Sequence, residues 1–307
     1  MNPFKYSFDN KRYHTLNYHY QTLFNQKVFK VSLNAAFSCP NINQKTKTGG
    51  CIYCSKYENT IEEDLLSQFN RVKKIMLKKW PHSKYIGYFQ ANSNTYAPLK
   101  TLKEKYELIL KQDNVIGLNI ATRADCIKDD VLDYLSELNQ KTFLTIELGL
   151  QTIHHQTSIL INRGHDLTCF EKMIKKLRSR NINVVVHIIN GLPYETKEMM
   201  LETVKYLSQL DIQGIKIHML HILRNTALEN MYKEKKFPLL SLKKYVAIVC
   251  DQLELLPQKI VIHRITGDPI IEDLIEPFWL TKKFIVLNEI DKELQKRNSY
   301  QGIRVSI

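Results

Sequence analysis

The sequence predicts an α/β protein built on a parallel sheet. Three observations predict it: six apolar, β-branched runs of strand length, helix-period segments between successive runs, and polar or glycine-containing chemistry at the end of each run. Repeated βα units force parallel strands with right-handed crossovers, either doubly wound or curled into a full or partial barrel. In either form, function collects at the carboxyl ends of the strands.

The strands are expected at residues 28–35 (VFKVSLNA), 85–89 (YIGYF), 117–122 (GLNIAT), 143–150 (FLTIELGL), 183–189 (NVVVHII) and 214–220 (GIKIHML). Each is rich in Val, Ile, Tyr or Phe, which suit a pleated, buried surface. The helices between them are expected at 62–79, 99–112, 129–138, 168–180 and 196–210, the last three opening on Asp129, Thr168 and Thr196 as caps. After the first strand comes CPNINQKTKTGGCIYC, after the second QANSNTY, and after the third TRADC. The fourth ends in ELGLQT, the fifth in NGLPYET and the sixth in HMLHILRNT. Any one of these has an ordinary structural reading, as a turn, a cap or a satisfied core histidine. Six together point to a site at one end of the sheet.

At 307 residues and 44% hydrophobic, the chain is long enough for one large domain with extensions. No apolar run reaches the roughly eighteen residues of a membrane span. The opening MNPFKYSFDNKRYH is too polar and aromatic for a signal peptide. A soluble, cytoplasmic protein without a membrane partner is expected. A formal charge of +13 favours an anionic partner. Runs such as RVKKIMLKKW and KMIKKLRSR also fit amphipathic helices whose cations face water.

Six cysteines are too sparse for a disulfide scaffold, and in a reducing compartment a cluster of them points to metal or redox chemistry. Cys39, Cys51 and Cys54 fall within sixteen residues as C-x11-C-x2-C. A structural zinc site wants four ligands, usually as two close pairs, and this loop offers one pair, a lone thiol and no histidine. A cubane iron–sulfur cluster on three thiolates leaves one iron open to a small chelating molecule. Zinc in a structural knuckle is the competing reading. Cys126, Cys169 and Cys250 are scattered and read as small buried hydrophobes.

The segments SCPN, GGCIYC (with Tyr53 before the last cysteine), ATRADC, ELGLQTIH, INRGHD, NGLPYET and ITGDP together resemble radical S-adenosylmethionine proteins. The widened first gap is similar to the elongator-like branch, and within it to the bacterial YtqA/YhcC-type (MnmL-like) family, over roughly residues 13–279. The resemblance implies a partial (βα)6 TIM-like barrel, with an N-terminal extension at 1–27, a barrel core at 28–235 and a C-terminal extension at 236–307. It implies a [4Fe-4S] cluster on Cys39, Cys51 and Cys54, and S-adenosyl-L-methionine chelating the open iron. An external electron donor such as flavodoxin or ferredoxin would drive formation of a 5'-deoxyadenosyl radical. Gln151 and Arg163 match the Gln and Arg that hold the ribose and methionine ends of the cofactor in the related coproporphyrinogen-oxidising enzymes. Gln can bond ribose hydroxyls, and Arg can fork a carboxylate. QANSNT replaces the glycine-rich segment of the superfamily, which puts Ser93 and Asn94 at the methionine end. His187 stands where relatives have Asp beside adenosine, Glu147 at the fourth strand joins the candidate cofactor contacts, and the turn at 191–193 would wall the adenine.

Elongator-like enzymes act on wobble uridines of transfer RNA, so the resemblance implies transfer RNA as partner. The implied step takes carboxymethylaminomethyl-uridine to aminomethyl-uridine. Basic and aromatic residues interleave at KRYHTLNYHYQ and PFWLTKKF, which suits phosphate contact by Lys11, Arg12, Lys282 and Lys283 and base stacking by Tyr18, Tyr20 and Trp279. Core packing is the competing reading of those aromatics. A radical enzyme on a protein or small metabolite, and a non-catalytic metal-stabilised RNA-binding protein, are the alternatives from other classes.

Overall fold

The six expected strands form, and each pairs in parallel with the next. In the computed structural model, which describes residues 4–43, 49–55 and 63–305, they are β1 (Val28–Leu33), β2 (Lys84–Phe89), β3 (Val115–Thr122), β4 (Phe143–Gln151), β5 (Asn183–Asn190) and β6 (Gly214–Met219). Further on, β7 (Ile222–Leu223) and β9 (Leu274–Glu276) make a separate antiparallel pair. Between these two in sequence, β8 (Val261–Arg264) adds a seventh parallel strand beside β6. The segment 236–307 is thus more than an appended extension, since it supplies part of the sheet. Four residues ending in His263 and Arg264 give periodicity too little to register. Among the described residues β1 and β8 are not paired to each other, so the sheet is a half-barrel with one open side. No helix there is long and apolar enough to cross a membrane.

The five expected crossover helices form, but of the three expected caps only Thr196 accepts an amide: the helix after the third strand starts behind Lys128 without a side-chain cap, and the one expected to open on Thr168 is capped by Asp166. α1 (Leu16–Phe24) precedes the sheet, and α2 (Leu65–Lys79), α3 (Leu99–Leu110), α4 (Asp129–Lys141), α5 (His155–Leu160), α6 (Leu167–Arg178) and α7 (Lys197–Leu207) follow β1 to β5. Asp64 accepts from the amides of Leu66 and Ser67, Asp166 from Cys169 and Thr196 from Met199, which satisfies amides that helix starts leave open. α6 buries Phe170, Met173, Ile174 and Leu177, spaced along one face. Each such side chain is worth about 1.5–3 kcal/mol on burial. Lys172, Lys175 and Lys176 of the same helix are exposed, so that basic run is a solvated face.

The two chain ends hold β8 in place. α8 (Ala227–Lys233) is followed by α9 (Leu242–Leu255) and α10 (Lys283–Lys296), which pack on each other and are joined by Arg297, bonded to Asp251 at 2.6 Å and Glu293 at 2.8 Å. Gln301, fully buried, donates to the carbonyls of Pro257 and Ile260 and accepts from the amide of His14. Thr15 bridges to Ile262. The expectation of RNA contact is corrected for Tyr20, Trp279, Lys11 and Arg12, which serve packing and pairing instead. Tyr20 is buried against Phe143, with ring centroids 6.1 Å apart, and Trp279 packs on Tyr245 at 5.6 Å. Lys11 is bonded to Asp291, and Arg12 reaches the Ser299 carbonyl at 3.4 Å. Phe278 and Phe284 are the aromatics of the second segment that face solvent.

At Gly117 β3 lies close against β4: a Cβ there would lie 2.1 Å from the Phe143 carbonyl oxygen. Gly117→Ala should therefore cost about 1–3 kcal/mol through overpacking. The measurement is urea unfolding, with a lower midpoint expected at unchanged slope. A wild-type midpoint would show that the strands separate freely at this point.

Candidate active site

Strand side chains alternate, so one set from every strand of the half-barrel points to its axis. Lys30 of β1, Tyr88 of β2, Asn119 of β3, Glu147 of β4, His187 of β5, Lys216 of β6 and His263 of β8 meet there. The Glu147 carboxylate is the centre. Its Oε1 accepts from Lys30 Nζ at 2.9 Å and Asn119 Nδ2 at 2.8 Å. Its Oε2 accepts from His187 Nε2 at 2.8 Å and from Lys216 Nζ. Lys216 also donates to the Tyr88 hydroxyl at 2.8 Å, and Lys30 Nζ lies 3.1 Å from His263 Nδ1. Burial opposes ionisation of Glu147, but Lys216, Lys30 and His187 hold its carboxyl well below the usual carboxylate range. Burial, reinforced by Lys216, pushes His187 down to about 4 against the pull of Glu147. His187 is therefore a neutral imidazole that donates to the carboxylate.

A cleft of about 660 Å³ opens at the carboxyl ends of the strands. Ser32, Asn34, Gln90, Ala91 and Gln151 line it from the β1–β4 side, Tyr53 and Cys54 from the cysteine loop, and His187, His218, His221, Arg264 and Asp268 from the β5–β8 side. Gln151 stands at φ 61° where β4 bulges against β5. Its side chain folds over Gly149, where a Cβ would come within 2.6 Å of the amide nitrogen. The glycine in ELGLQ is thus what lets Gln151 turn into the cleft.

The cysteine loop is fastened to the turn that follows β4. Ile52 N donates to Ile161 O at 3.2 Å, Asn162 Nδ2 to Gly50 O at 2.8 Å, and Asn41 Nδ2 to Asn162 O at 2.5 Å. Two N–H donors reach the sulfurs: Arg123 Nη1 lies 3.6 Å from Cys39 Sγ, and Asn41 Nδ2 lies 3.8 Å from Cys51 Sγ. The Cys54 thiol, helped by Tyr53, Arg123 and Asn41, pulls the Cys51 thiol down to about 7 against its burial. None of the three is in a disulfide. Among the described residues no group of three or more potential metal-ligating side chains stands ready assembled. Three reduced thiols, two of them supplied with N–H donors, fit an anionic iron–sulfur group in their chemistry. Burial instead pushes Cys126 and Cys250 up to about 12, as expected of inert core thiols.

The remaining expected site residues divide. His187 and Gln151 line the cleft. Arg163 is buried, with Nη1 donating to the carbonyls of Leu150 and Thr152 at 2.8 and 2.6 Å and Nε to that of His165 at 2.8 Å. It clamps the β4 exit to the turn that carries the cysteine loop. Ser93 and Asn94 are a correction, because they are buried away from the cleft. Ala91 and Asn92, both left-handed at φ 66° and 57°, turn the chain so that Gln90 and Ala91 face the cleft instead. Asn94 spends its amide on the carbonyls of Ala91 and Ala121, and the amide of Ser93 on Ser38. Glu147 is a second correction: its carboxylate is wholly enclosed and meets the cleft only through His187. Gly191 of the turn at 191–193 lies against Leu240, and Ile189 lines the cleft.

Sequence reading passed over Lys30, Tyr88, Lys216, Arg123 and Asn41. The lysines did leave a signal. VFKVSL and GIKIHM each set one Lys inside an otherwise apolar strand, and buried lysine is rare unless paired.

Residues 48–207 match the family described as Radical SAM superfamily, and residues 212–296 match the Radical SAM C-terminal domain. YtqA of Bacillus subtilis is 51% identical over 306 residues, which span 98% of this chain and 95% of YtqA. YhcC of Escherichia coli is 31% identical over 282 residues, 89% of each chain. Among solved structures, the archaeal Methanocaldococcus infernus Elp3 with an N-terminal deletion superposes with a TM-score of 0.67 at 17% identity, covering 90% of this chain and 64% of that one. At that identity the likeness shows the fold.

The ion cluster makes its own prediction. Glu147→Gln removes the buried counter-ion that Lys30 and Lys216 share, which should cost on the order of 3–5 kcal/mol. The folded-state pKa of Glu147 is depressed, so its contribution is present above the unfolded carboxylate value and is lost only as pH falls through the folded one. Urea unfolding should show the full wild-type-to-variant gap at neutral pH, narrowing in strongly acidic solution. A gap under about 1 kcal/mol at neutral pH, the size expected of a surface pair, would contradict the assignment.

Proposed function

Because this chain belongs to the radical S-adenosylmethionine superfamily, and is therefore an enzyme that uses a [4Fe-4S] cluster and S-adenosylmethionine, we propose that it acts on the carbon-5 side chain of a transfer-RNA wobble uridine. The observation that carries this reading is the open side of the half-barrel. Between β1 and β8 lies a hollow of about 440 Å³ lined by Lys27, Lys30, Lys216, Arg264 and Lys283 together with Tyr13, Tyr20 and Tyr88. It meets the cleft at Ser32 and Arg264, which line both. A basic hollow that shares Ser32 and Arg264 with the cleft suits a nucleotide whose phosphates meet its cations. The charge of +13 supports the same class of partner. The elongator-like resemblance supports the particular step, carboxymethylaminomethyl-uridine to aminomethyl-uridine.

In this reading Cys39, Cys51 and Cys54 would hold the cluster, with Arg123 and Asn41 donating to the sulfurs of Cys39 and Cys51. Gln151 takes the ribose hydroxyls. Gln90 and Ala91 stand at the methionine end in place of Ser93 and Asn94. Arg163, whose Nε and Nη1 are committed to carbonyls, positions the β4 exit and offers Nη2 to a carboxylate. The chemistry that cluster and cofactor supply when bound is hydrogen-atom abstraction from a C–H bond. His187, neutral and steadied by Glu147, lines the cleft as an imidazole partner for adenosine or substrate. The electron comes from an external donor of the flavodoxin or ferredoxin kind. Segments 1–27 and 236–307 act as extensions that complete and brace the barrel.

Nucleoside mass spectrometry of transfer RNA from a deletion strain tests the substrate. Carboxymethylaminomethyl-uridine should accumulate at the expense of aminomethyl-uridine, and unchanged nucleosides would exclude this substrate. Iron analysis after anaerobic reconstitution tests the ligands: Cys39→Ala, Cys51→Ala and Cys54→Ala should each impair cluster assembly, whereas Cys126→Ala, Cys169→Ala and Cys250→Ala should not. Zinc at full occupancy without iron uptake would reverse this. Transfer-RNA affinity should drop steeply between about 50 and 200 mM salt, with a shallower slope in a Lys27→Glu, Lys283→Glu double variant.

A further inference from the structure

We propose that the hollow between β1 and β8 is a binding site for a single carboxylate, seated on the ammonium groups of Lys30 and Lys216. The argument is one of charge. Both lysines line the hollow, and their side chains are only 14% and 4% exposed. They share one counter-ion, Glu147. The other groups facing them do not supply a second negative charge. Burial, with the neighbouring cations, holds His187, His218 and His263 neutral. Tyr88 is an un-ionised phenol, its pKa raised by burial and by Glu147. Arg264 adds a further cation, and Asp268 is engaged by both Arg264 and Lys283 at 2.8 Å. With both lysines protonated, one buried positive charge is left without a carboxylate of its own, in a medium where such a charge is costly. An anion in the hollow removes that cost.

The seat is also held in shape. The Tyr88 ring lies under both cations, 4.1 Å from Lys216 Nζ and 5.3 Å from Lys30 Nζ, and its hydroxyl fixes the Lys216 ammonium. Burial, with Lys30 and Arg264 acting the same way and Glu147 against them, lowers Lys216 to about 7. Anion binding must then favour the protonated lysine, so affinity should fall as pH rises through about 7. A carboxylate and a phosphodiester share the chemistry of a singly charged oxyanion. The enclosed position, next to the cleft at Ser32 and Arg264, favours a carboxylate on the reacting side chain over a backbone phosphate, which would remain outside. For the identity of that side chain the inference rests on the wobble-uridine reading, whose carboxymethylamino group carries such a carboxylate. Binding itself does not depend on that reading.

The test is calorimetric titration of the full-length, cluster-loaded protein with acetate, and with dimethyl phosphate as the alternative anion, on either side of pH ~7 in chloride-free buffer. Acetate should bind better below that pH and better than dimethyl phosphate. Lys30→Met and Lys216→Met should each weaken acetate by about tenfold or more. Each variant leaves one lysine for one carboxylate, so the urea midpoints should equal or exceed that of wild type. Equal acetate affinity in wild type and both variants would overturn the site, as would a marked fall in midpoint in both. Preference for dimethyl phosphate would overturn its assignment to a carboxylate and give the hollow to the RNA backbone. The titration contains no RNA, so acetate binding alongside unaltered transfer RNA in the deletion strain would sink the wobble-uridine reading alone. Altered transfer RNA without acetate binding would sink the carboxylate site alone.

Discussion

One buried carboxylate, Glu147, holds the axis of this half-barrel. Through it Lys30, Asn119, His187 and Lys216 are joined across β1, β3, β5 and β6, and Tyr88 of β2 is drawn in by Lys216. A closed barrel of this type fills its interior with layers of branched aliphatic side chains. Here the layer at Glu147 is polar and charged, and charges in a dry interior are tolerated only in the arrangement that pairs them. The cluster therefore fixes which faces of the strands point inward. A one-residue slip of any of them would put its charge in the apolar layer beneath the helices and an aliphatic side chain on the axis.

The open edge follows from the same economy of strands. Seven parallel strands do not close, and the unpaired edges of β1 and β8 would ordinarily invite another chain. The two ends of the polypeptide cover part of that exposure. Thr15 bridges to β8, α1 sits across the start of the sheet, and Gln301 ties His14 to the loop before β8. What they leave open is the hollow whose wall carries Lys30 and Lys216. Access to the axis is thus a consequence of a missing eighth strand, and its chemistry is a consequence of which side chains the strands turn inward.

Much of this could be read from the sequence, for definite physical reasons. Six strands and their crossover helices were legible because their apolar residues recur with the right periods, and the cysteine loop because three thiols in one short stretch have few other uses. β8 was not legible, since VIHR is short and half polar and is held in the sheet by contacts from residues far away in sequence. The direction of the QANSNT turn was hidden as well, because successive left-handed residues at Ala91 and Asn92 are set by the loops around them and not by glycine. Glu147 was noticed at the right strand end but given the wrong neighbours. Its partners lie on four other strands, and a single lysine in each of two apolar runs shows its meaning only once those runs are side by side.

β4 brings these features onto one line. Glu147, Gly149 and Gln151 are two residues apart, so they share the inward face of the same strand. The first takes the charges of the axis, the second leaves the space, and the third bends into the cleft at the bulge. Arg163 then grips the carbonyls that flank Gln151, and the turn beside it holds the loop with Cys51 and Cys54 through Asn162 and Ile161. The cysteine loop is therefore referenced to the strand that carries the central carboxylate and not to the surface. The side chain that gathers the charges of the axis and the one that turns into the cleft are thus four positions apart on one strand.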